Sequence, residues 1–222
     1  MDKKEIFNGQ FDLGRKDHLK VLDFVNWYRF FYIIREVIDL EPAAILEIGE
    51  GSGIVRNCVS FLVKEYKTLD INKKLNPDFL SDLRDFKNEI KEKFQCVIAA
   101  DILEHLPFSD LEKSVRNIYD YVSKGGRAII TIPHRRSHFL FMVPDYKPHV
   151  VTIPTGFLTP VSFYQRFIKR IISIDAHHCW EIGDGRIKRS DVESAFRKTG
   201  FKINKFRKLL YVDFWVLEKG VK

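Results

Sequence analysis

Cysteine is scarce in this 222-residue chain: Cys58, Cys96 and Cys179 are odd in number and far apart. No C-x-x-C pair occurs, so neither a disulfide framework nor a zinc site is suggested. Cys58 and Cys96 fall in largely apolar stretches and read as buried spacers. Runs of like charge are also missing. The formal net charge of +7 favours anionic partners such as phosphates, nucleic acid or a membrane surface. Yet the basic residues are scattered, and Lys73-Lys74 and Arg135-Arg136 are only pairs. Long hydrophobic runs are absent too. The most apolar long stretch, from Phe24 to Ile38, is broken by Arg29, Arg35 and Glu36, so no transmembrane segment is expected. Met1-Asp-Lys-Lys-Glu lacks the apolar core of a signal peptide, and a cytoplasmic location is the expectation. No internal repeat or low-complexity tract is found. What is present is an ordinary globular composition, 45% hydrophobic and 30% charged, enough for one core and one insertion. The 19 Phe, 8 Tyr and 3 Trp are less ordinary, since many lie outside the segments that read as sheet core.

The middle of the chain alternates strand-like and helix-like segments, which predicts βαβ units and a parallel sheet. Strands are expected at 43–48, 66–71, 78–80, 94–100 and 127–132. The fourth is apolar at all but Gln95, as a strand covered on both faces should be. Helices are expected over 17–39, from 54 to 65, from a Ser109/Glu112 capping box to Gly125-Gly126, and from a Ser190/Glu193 box to Gly200. Two last strands, near 201–207 and 210–218, pair as a hairpin. The fold class that follows is α/β, a Rossmann-like, seven-stranded, mostly parallel sheet with helices on both faces. One domain is divided into a helical cover (1–42), a core (43–133), an insertion (134–180) and a C-terminal helix and hairpin (181–222). The insertion carries Pro144, Pro148, Pro154 and Pro160, with Pro133 at its entry, and much of it should be irregular. Thr159-Pro160 should open an amphipathic helix with a basic face formed by Arg166, Lys169 and Arg170.

Chemistry concentrates at Glu47-Ile-Gly49-Glu-Gly51-Ser-Gly53. An acidic residue followed by three glycines at alternate positions lets the backbone turn sharply after the first strand and approach a ligand. Asp70, with Ile71 beyond it, ends the second strand, where a carboxylate can accept hydrogen bonds from both hydroxyls of a ribose. If the glycines served only as a turn, Glu47 would be a buried charge without a partner. A nicotinamide dinucleotide site fits poorly, because its third glycine would fall on Ile54.

These residues resemble the first motif of the class I S-adenosylmethionine-dependent methyltransferases, E/D-x-G-x-G-x-G. The resemblance continues through Asp70, through Asp82-Leu83 after the third strand, where the family contacts adenine, and to Asp101 in AADILEHLP after the fourth. It covers roughly residues 43–133 in register and 186–218 by architecture. It implies S-adenosylmethionine as cofactor, held by Glu47, Gly49, Gly51, Gly53, Asp70, Ile71, Asp82, Leu83 and Asp101. Ser81-Asp82 could instead cap a helix, and Glu104-His105 reads as wall beside the cofactor. The asparagine-proline-proline-aromatic motif of many base and amide N-methyltransferases is missing, which weighs against that chemistry.

His177-His178-Cys179-Trp180-Glu181 follows the insertion, where related small-molecule methyltransferases often carry a histidine near the acceptor. His178 and Glu181 are the catalytic candidates: a histidine with a nearby carboxylate can take a proton from a hydroxyl. Alternatively they seal the sheet edge. Adjacent histidines give poor common geometry for a metal, and none is expected. The insertion's aromatics, Phe139, Phe141, Tyr146, Phe157, Phe163 and Tyr164, could line a lid over an apolar acceptor, form a homodimer interface, or rest on a membrane. The expectation is methyl transfer to a small acceptor, with an RNA methyltransferase and a non-catalytic cofactor-binding module as rivals.

Overall fold

The computed structural model of the chain describes residues 12–134, 136–142, 148–154 and 174–221, with Gly9, Tyr164, Ile168 and Lys169. Seven strands form one sheet: β1 (Ala44–Ile48), β2 (Glu65–Asp70), β3 (Phe79–Leu80), β4 (Phe94–Ala100), β5 (Val122–Pro133), β8 (Lys202–Lys208) and β9 (Val212–Glu218). Their spatial order is β3-β2-β1-β4-β5-β9-β8. The first five run parallel, and β9 is antiparallel to both β5 and β8. The helices are α1 (Arg15–Lys20), α2 (Phe24–Leu40), α3 (Ile54–Val59), α4 (Leu111–Tyr121) and α5 (Arg189–Lys198). This is the expected Rossmann-like architecture with an antiparallel C-terminal hairpin.

Side-chain alternation along the strands divides the core into two layers. Leu46, Val97, Ala99, Ala128 and Ile130 point to one face and pack under Val115 and Ile118 of α4 and Val192 and Phe196 of α5. Ile45, Cys96, Ile98 and Ile129 point to the other, under Ile33 and Val37 of α2 and Val55 and Val59 of α3. Burial of each such aliphatic side chain contributes about 1.5–3 kcal/mol. Burial on both faces explains why β4 reads as an unbroken apolar run.

Several boundaries differ from expectation. The helix expected over 17–39 is two helices, because Asp23 takes an extended conformation and caps α2 by accepting from the Asn26 amide at 2.8 Å. The Ser109 capping box does not form. Phe108–Asp110 is a 3-10 turn, α4 opens behind Asp110 without a side-chain cap, and the Ser109 hydroxyl donates to Asp110 Oδ1 at 3.4 Å instead. At α5, Asp191 rather than Glu193 accepts from the backbone amide of the N-cap, here Lys188 (2.8 Å), while Glu193 accepts from Trp215 Nε1 at 3.3 Å. Gly125-Gly126 ends no helix: α4 stops at Tyr121 and the glycines lie inside β5. There the pairing with β4 shifts register between Phe94 and Cys96, and a Cβ on Gly126 would sit 2.8 Å from the Gln95 carbonyl oxygen. The glycine permits a bulge, not a stop.

The described part of the insertion is more regular than its prolines imply. β6 (Arg136–Met142) and β7 (Pro148–Pro154) pair antiparallel as a separate two-stranded sheet, with Pro148 and Pro154 at strand ends, where a missing N–H costs least. Thr159-Pro160 and most of the expected basic helix lie outside the described residues, as do Tyr146, Phe157 and Phe163. After the insertion the chain returns beside β5, and His134 and Ile182 form an isolated parallel bridge. No helix among the described residues is long and apolar enough to cross a membrane.

Candidate active site

Parallel strands deliver their carboxyl ends to one edge, so residues far apart in sequence meet there. Gly49, Gly51 and Gly53 all have positive φ (72°, 48° and 72°), which turns the chain from β1 into α3. Gly49 also has no room for a side chain, since a Cβ would sit 2.0 Å from Ile102 Cδ1. Just before the turn, Glu47 is buried, and Tyr66 donates its hydroxyl to Glu47 Oε2 at 2.7 Å. Burial, together with the neighbouring Glu50, outweighs that hydrogen bond and pushes the Glu47 carboxyl up to about 8. The charge expected to lack a partner therefore has a neutral donor and is largely protonated at neutral pH. Glu50, at a variable position of the motif, is buried as well and pairs with Arg15 and with Arg56 (3.6 Å).

The next three strand ends each contribute a carboxylate. Asp70 accepts from the Asn72 amide at 2.8 Å, and burial raises its carboxyl above the usual range. Asp82 caps no helix. It grips Arg84, accepting from the backbone N–H (2.8 Å), Nε (3.0 Å) and Nη2 (2.6 Å), and those bonds hold its pKa down. Asp101 has φ +55°, a left-handed backbone seldom seen outside glycine. It is fixed by an ion pair with buried Arg29, by Tyr211 Oη donating at 2.8 Å and by Thr131 Oγ1 donating at 2.6 Å.

At the far end of the same edge, the 3-10 turn Leu103–His105 meets the chain returning from the insertion. The Cys179 amide donates to the Glu104 carbonyl (2.8 Å) and Trp180 Nε1 to the Leu106 carbonyl (2.9 Å). These bonds bring His105 and His178 edge to face, ring centroids 4.9 Å apart. His178 Nδ1 lies 2.8 Å from Glu181 Oε1, and His105 Nδ1 lies 2.9 Å from the His177 carbonyl oxygen. Burial and the adjacent His178 depress the His105 pKa to about 4. The Glu104 carboxylate is completely buried, and neither oxygen has a hydrogen-bond partner. Burial, with Asp101 nearby, raises its pKa well above the ordinary value.

These strand ends, with His105 and His178 but not the buried Glu104, line one cavity of about 870 Å³, toward the upper end of the usual range for small-molecule sites. Glu47, Gly49, Gly51, Asp70, Ile71, Asp82, Leu83, Asp101 and His178 line it. Gly53 and Glu181 do not: Gly53 caps α3, and Glu181 stands behind His178. Among the described residues, Glu47, Glu50, Asp70, Asp82, Asp101 and Asp175 line it together with Arg29 and Arg84. Glu50, Asp82 and Asp101 are each paired with arginine and Glu47 is largely protonated, so the cavity offers hydrogen-bonding carboxyl groups more than free negative charge.

The profile of the family described as "Methyltransferase domain" matches residues 28–205. The chain belongs to that family. No curated protein matches it in sequence. Among solved structures it is similar to the N-methyltransferase NodS of Bradyrhizobium japonicum in complex with S-adenosylhomocysteine. That match has TM-score 0.62 at 9% identity, over 99% of each chain. It is also similar to an S-adenosylmethionine-dependent methyltransferase of Clostridium acetobutylicum, with TM-score 0.58 at 13% identity over 99% of this chain and 100% of the other. A third, the 1,6-didemethyltoxoflavin-N1-methyltransferase of Burkholderia thailandensis, gives TM-score 0.54 at 10% identity over 86% and 77%. At such identities these likenesses establish the fold, that of the class I methyltransferases.

In this methyltransferase the N-terminal helices form more than a cover. His18, Asn26, Arg29 and Phe30 line the cavity, and none was singled out from sequence as a site residue. The one available signal was Arg29, a charge set among the aromatics of Trp27-Tyr-Arg-Phe-Phe31. His18 is desolvated there, which lowers its pKa.

Proposed function

We propose that this methyltransferase moves a methyl group from S-adenosylmethionine to a small acceptor. The observation that carries the reading is the set of carboxylates at successive strand ends, Glu47, Asp70, Asp82 and Asp101, around one cavity. S-adenosylmethionine supplies a methyl group already activated on a sulfonium. Glu47 suits the methionine ammonium, and Asp70 the ribose hydroxyls. Leu83 and Ile71 offer apolar surface to the adenine, and the Gly49–Gly51 backbone permits close approach. Such a donor needs orientation more than acid–base chemistry, so a rigid cavity supplies most of the catalysis. His178 is the acceptor-side residue, with Glu181 holding one ring nitrogen and leaving Nε2 to face other groups. Among the described residues the cavity presents Arg29 and Arg84 as its basic groups, both held by carboxylates, so it favours a small acceptor over RNA, whose phosphates need cationic partners. Residues 134–180 serve as the lid of a single 1–222 domain. The lining of the cavity by Asp175, His177, His178 and Cys179, at its end, supports this. Three free thiols fit a reducing, cytoplasmic compartment.

Calorimetric titration with S-adenosylmethionine, S-adenosylhomocysteine and NAD tests the reading. Saturable binding of the first two and none of the third is expected. Dinucleotide binding without S-adenosylhomocysteine binding would overturn it.

A further inference from the structure

Three ligand-type side chains converge where the cavity meets the returning insertion. Glu104, His105 and His178 each present one potential ligand atom, all within 4.8 Å of one another, and Glu104 Oε1 lies 4.0 Å from His178 Nε2. Ligands bound at about 2.0–2.2 Å around a tetrahedral ion stand roughly 3.3–3.5 Å apart, so closing the set needs side-chain shifts of about 1 Å.

The surroundings prepare the three groups for this. A carbonyl can only accept, so the contact with His177 O places the His105 proton on Nδ1 and leaves Nε2 with its lone pair. The Glu181 carboxylate does the same for His178. A histidine whose other nitrogen donates to a carbonyl or carboxylate is the usual arrangement behind a metal-bound imidazole. Glu104 supplies the independent observation. Its carboxyl group is wholly buried with both oxygens unpartnered, a costly state for the carboxylate unless a proton or a metal cation joins it. The support is rigid, since the Cys179 amide and the Trp180 indole bind segment 177–180 to the carbonyls of segment 104–106.

We propose that Glu104, His105 and His178 bind one divalent transition-metal ion, with an open coordination position toward the cavity for an acceptor oxygen. Two imidazoles and one carboxylate suit Zn²⁺, Co²⁺, Mn²⁺ or Fe²⁺ better than Mg²⁺. The catalytic consequence rests on the methyl-transfer reading above. A hydroxyl acceptor in the open position loses its proton to solvent near neutral pH. A C–O bond then forms as the methyl C–S bond breaks. The products are a methyl ether, S-adenosylhomocysteine and a released proton. The acceptor class is therefore an oxygen nucleophile.

The test uses untagged full-length protein stripped with chelator and titrated with Co²⁺, Zn²⁺ and Mg²⁺, binding being followed by calorimetry and by the visible absorption of Co²⁺. One equivalent of Co²⁺ and of Zn²⁺ per chain is expected. Glu104→Gln, His105→Ala and His178→Ala should each weaken binding at least tenfold, and Glu181→Gln about 10–100-fold through the orientation of His178. Glu104→Gln is isosteric and leaves a neutral side chain at the buried position, so it should fold, and retained S-adenosylhomocysteine binding confirms that. Absence of saturable Co²⁺ and Zn²⁺ binding, or equal affinity in parent and Glu104→Gln, overturns the site. Either result with S-adenosylhomocysteine binding intact leaves the methyl-transfer reading standing. Metal binding without S-adenosylhomocysteine binding would do the reverse.

Discussion

Replacing Glu47 by glutamine probes the charge logic of the cavity. In the folded chain this carboxyl is raised from 4.5 to about 8, mainly by burial. At about 1.36 kcal/mol per unit, a rise of that size is worth about 3–5 kcal/mol. A raised carboxyl means that the folded state binds more protons than the unfolded state across this window. The stabilisation is fully present below about pH 4.5 and is lost as pH rises through about 8. Glutamine keeps the shape and an acceptor for the Tyr66 hydroxyl but does not titrate. Urea unfolding of both proteins from pH 5 to 9 should show near-equal stability at the acid end. At pH 9 the variant should be more stable by at least about 2 kcal/mol. Other titrating groups are common to both and cancel in the difference. The same carboxyl must ionise to hold a ligand's ammonium. Binding of S-adenosylmethionine at pH 7 should therefore release up to about one proton, read as a dependence of calorimetric enthalpy on buffer. The variant should lose that release and bind at least tenfold more weakly. Parallel stability curves, or proton release unchanged in Glu47→Gln, would refute the reasoning.

Asp70→Ala should weaken S-adenosylhomocysteine binding by about 1.5–3 kcal/mol, the worth of hydrogen bonds to a charged group, measurable by calorimetry. Gly51→Val should do at least as much harm, because φ is +48° there and a side chain would enter ligand space. Arg29→Ala leaves Asp101 without its cation in a mostly buried setting, and should cost about 3–5 kcal/mol in urea unfolding. Asp101→Asn in the same chain should recover part of that loss, and strict additivity of the two would contradict the pairing. If residues 134–180 close over the site, limited proteolysis should cut between Ser137 and Thr159 in the free protein, and less so with S-adenosylhomocysteine and an acceptor bound. Equal resistance in both states, together with a dimer in solution, would favour an interface instead.

The residues legible from sequence share one property: each is set by short-range pattern. Apolar runs of strand length, the Glu47–Gly53 turn and the acids closing β2, β3 and β4 are local features. A parallel sheet automatically gathers such strand ends at one edge, so the cavity's floor followed once the strands were recognised. Its walls did not. Arg29 meets Asp101 across 72 positions and Tyr211 meets it across 110. No periodicity encodes a pairing over that distance, and Arg29 read only as an interruption in an apolar stretch. Helix ends were misplaced where a serine and a glutamate had the right spacing but a 3-10 turn put another residue at the cap, as at Ser109, where Asp110 takes that place. Gly125-Gly126 looked like a stop because glycine marks helix ends and strand bulges alike, and only the β4–β5 register separates the two. The acceptor end is the clearest case. In sequence, Glu104-His105 reads as wall beside the cofactor and His178-x-x-Glu181 as a separate acid–base pair. Only the return of the chain beside β5 places Glu104, His105 and His178 within reach of a common centre and leaves a buried carboxylate facing two oriented imidazoles. Strand positions and turn chemistry belong to the sequence, whereas the meeting of distant polar groups belongs to the packing of the layers that carry them.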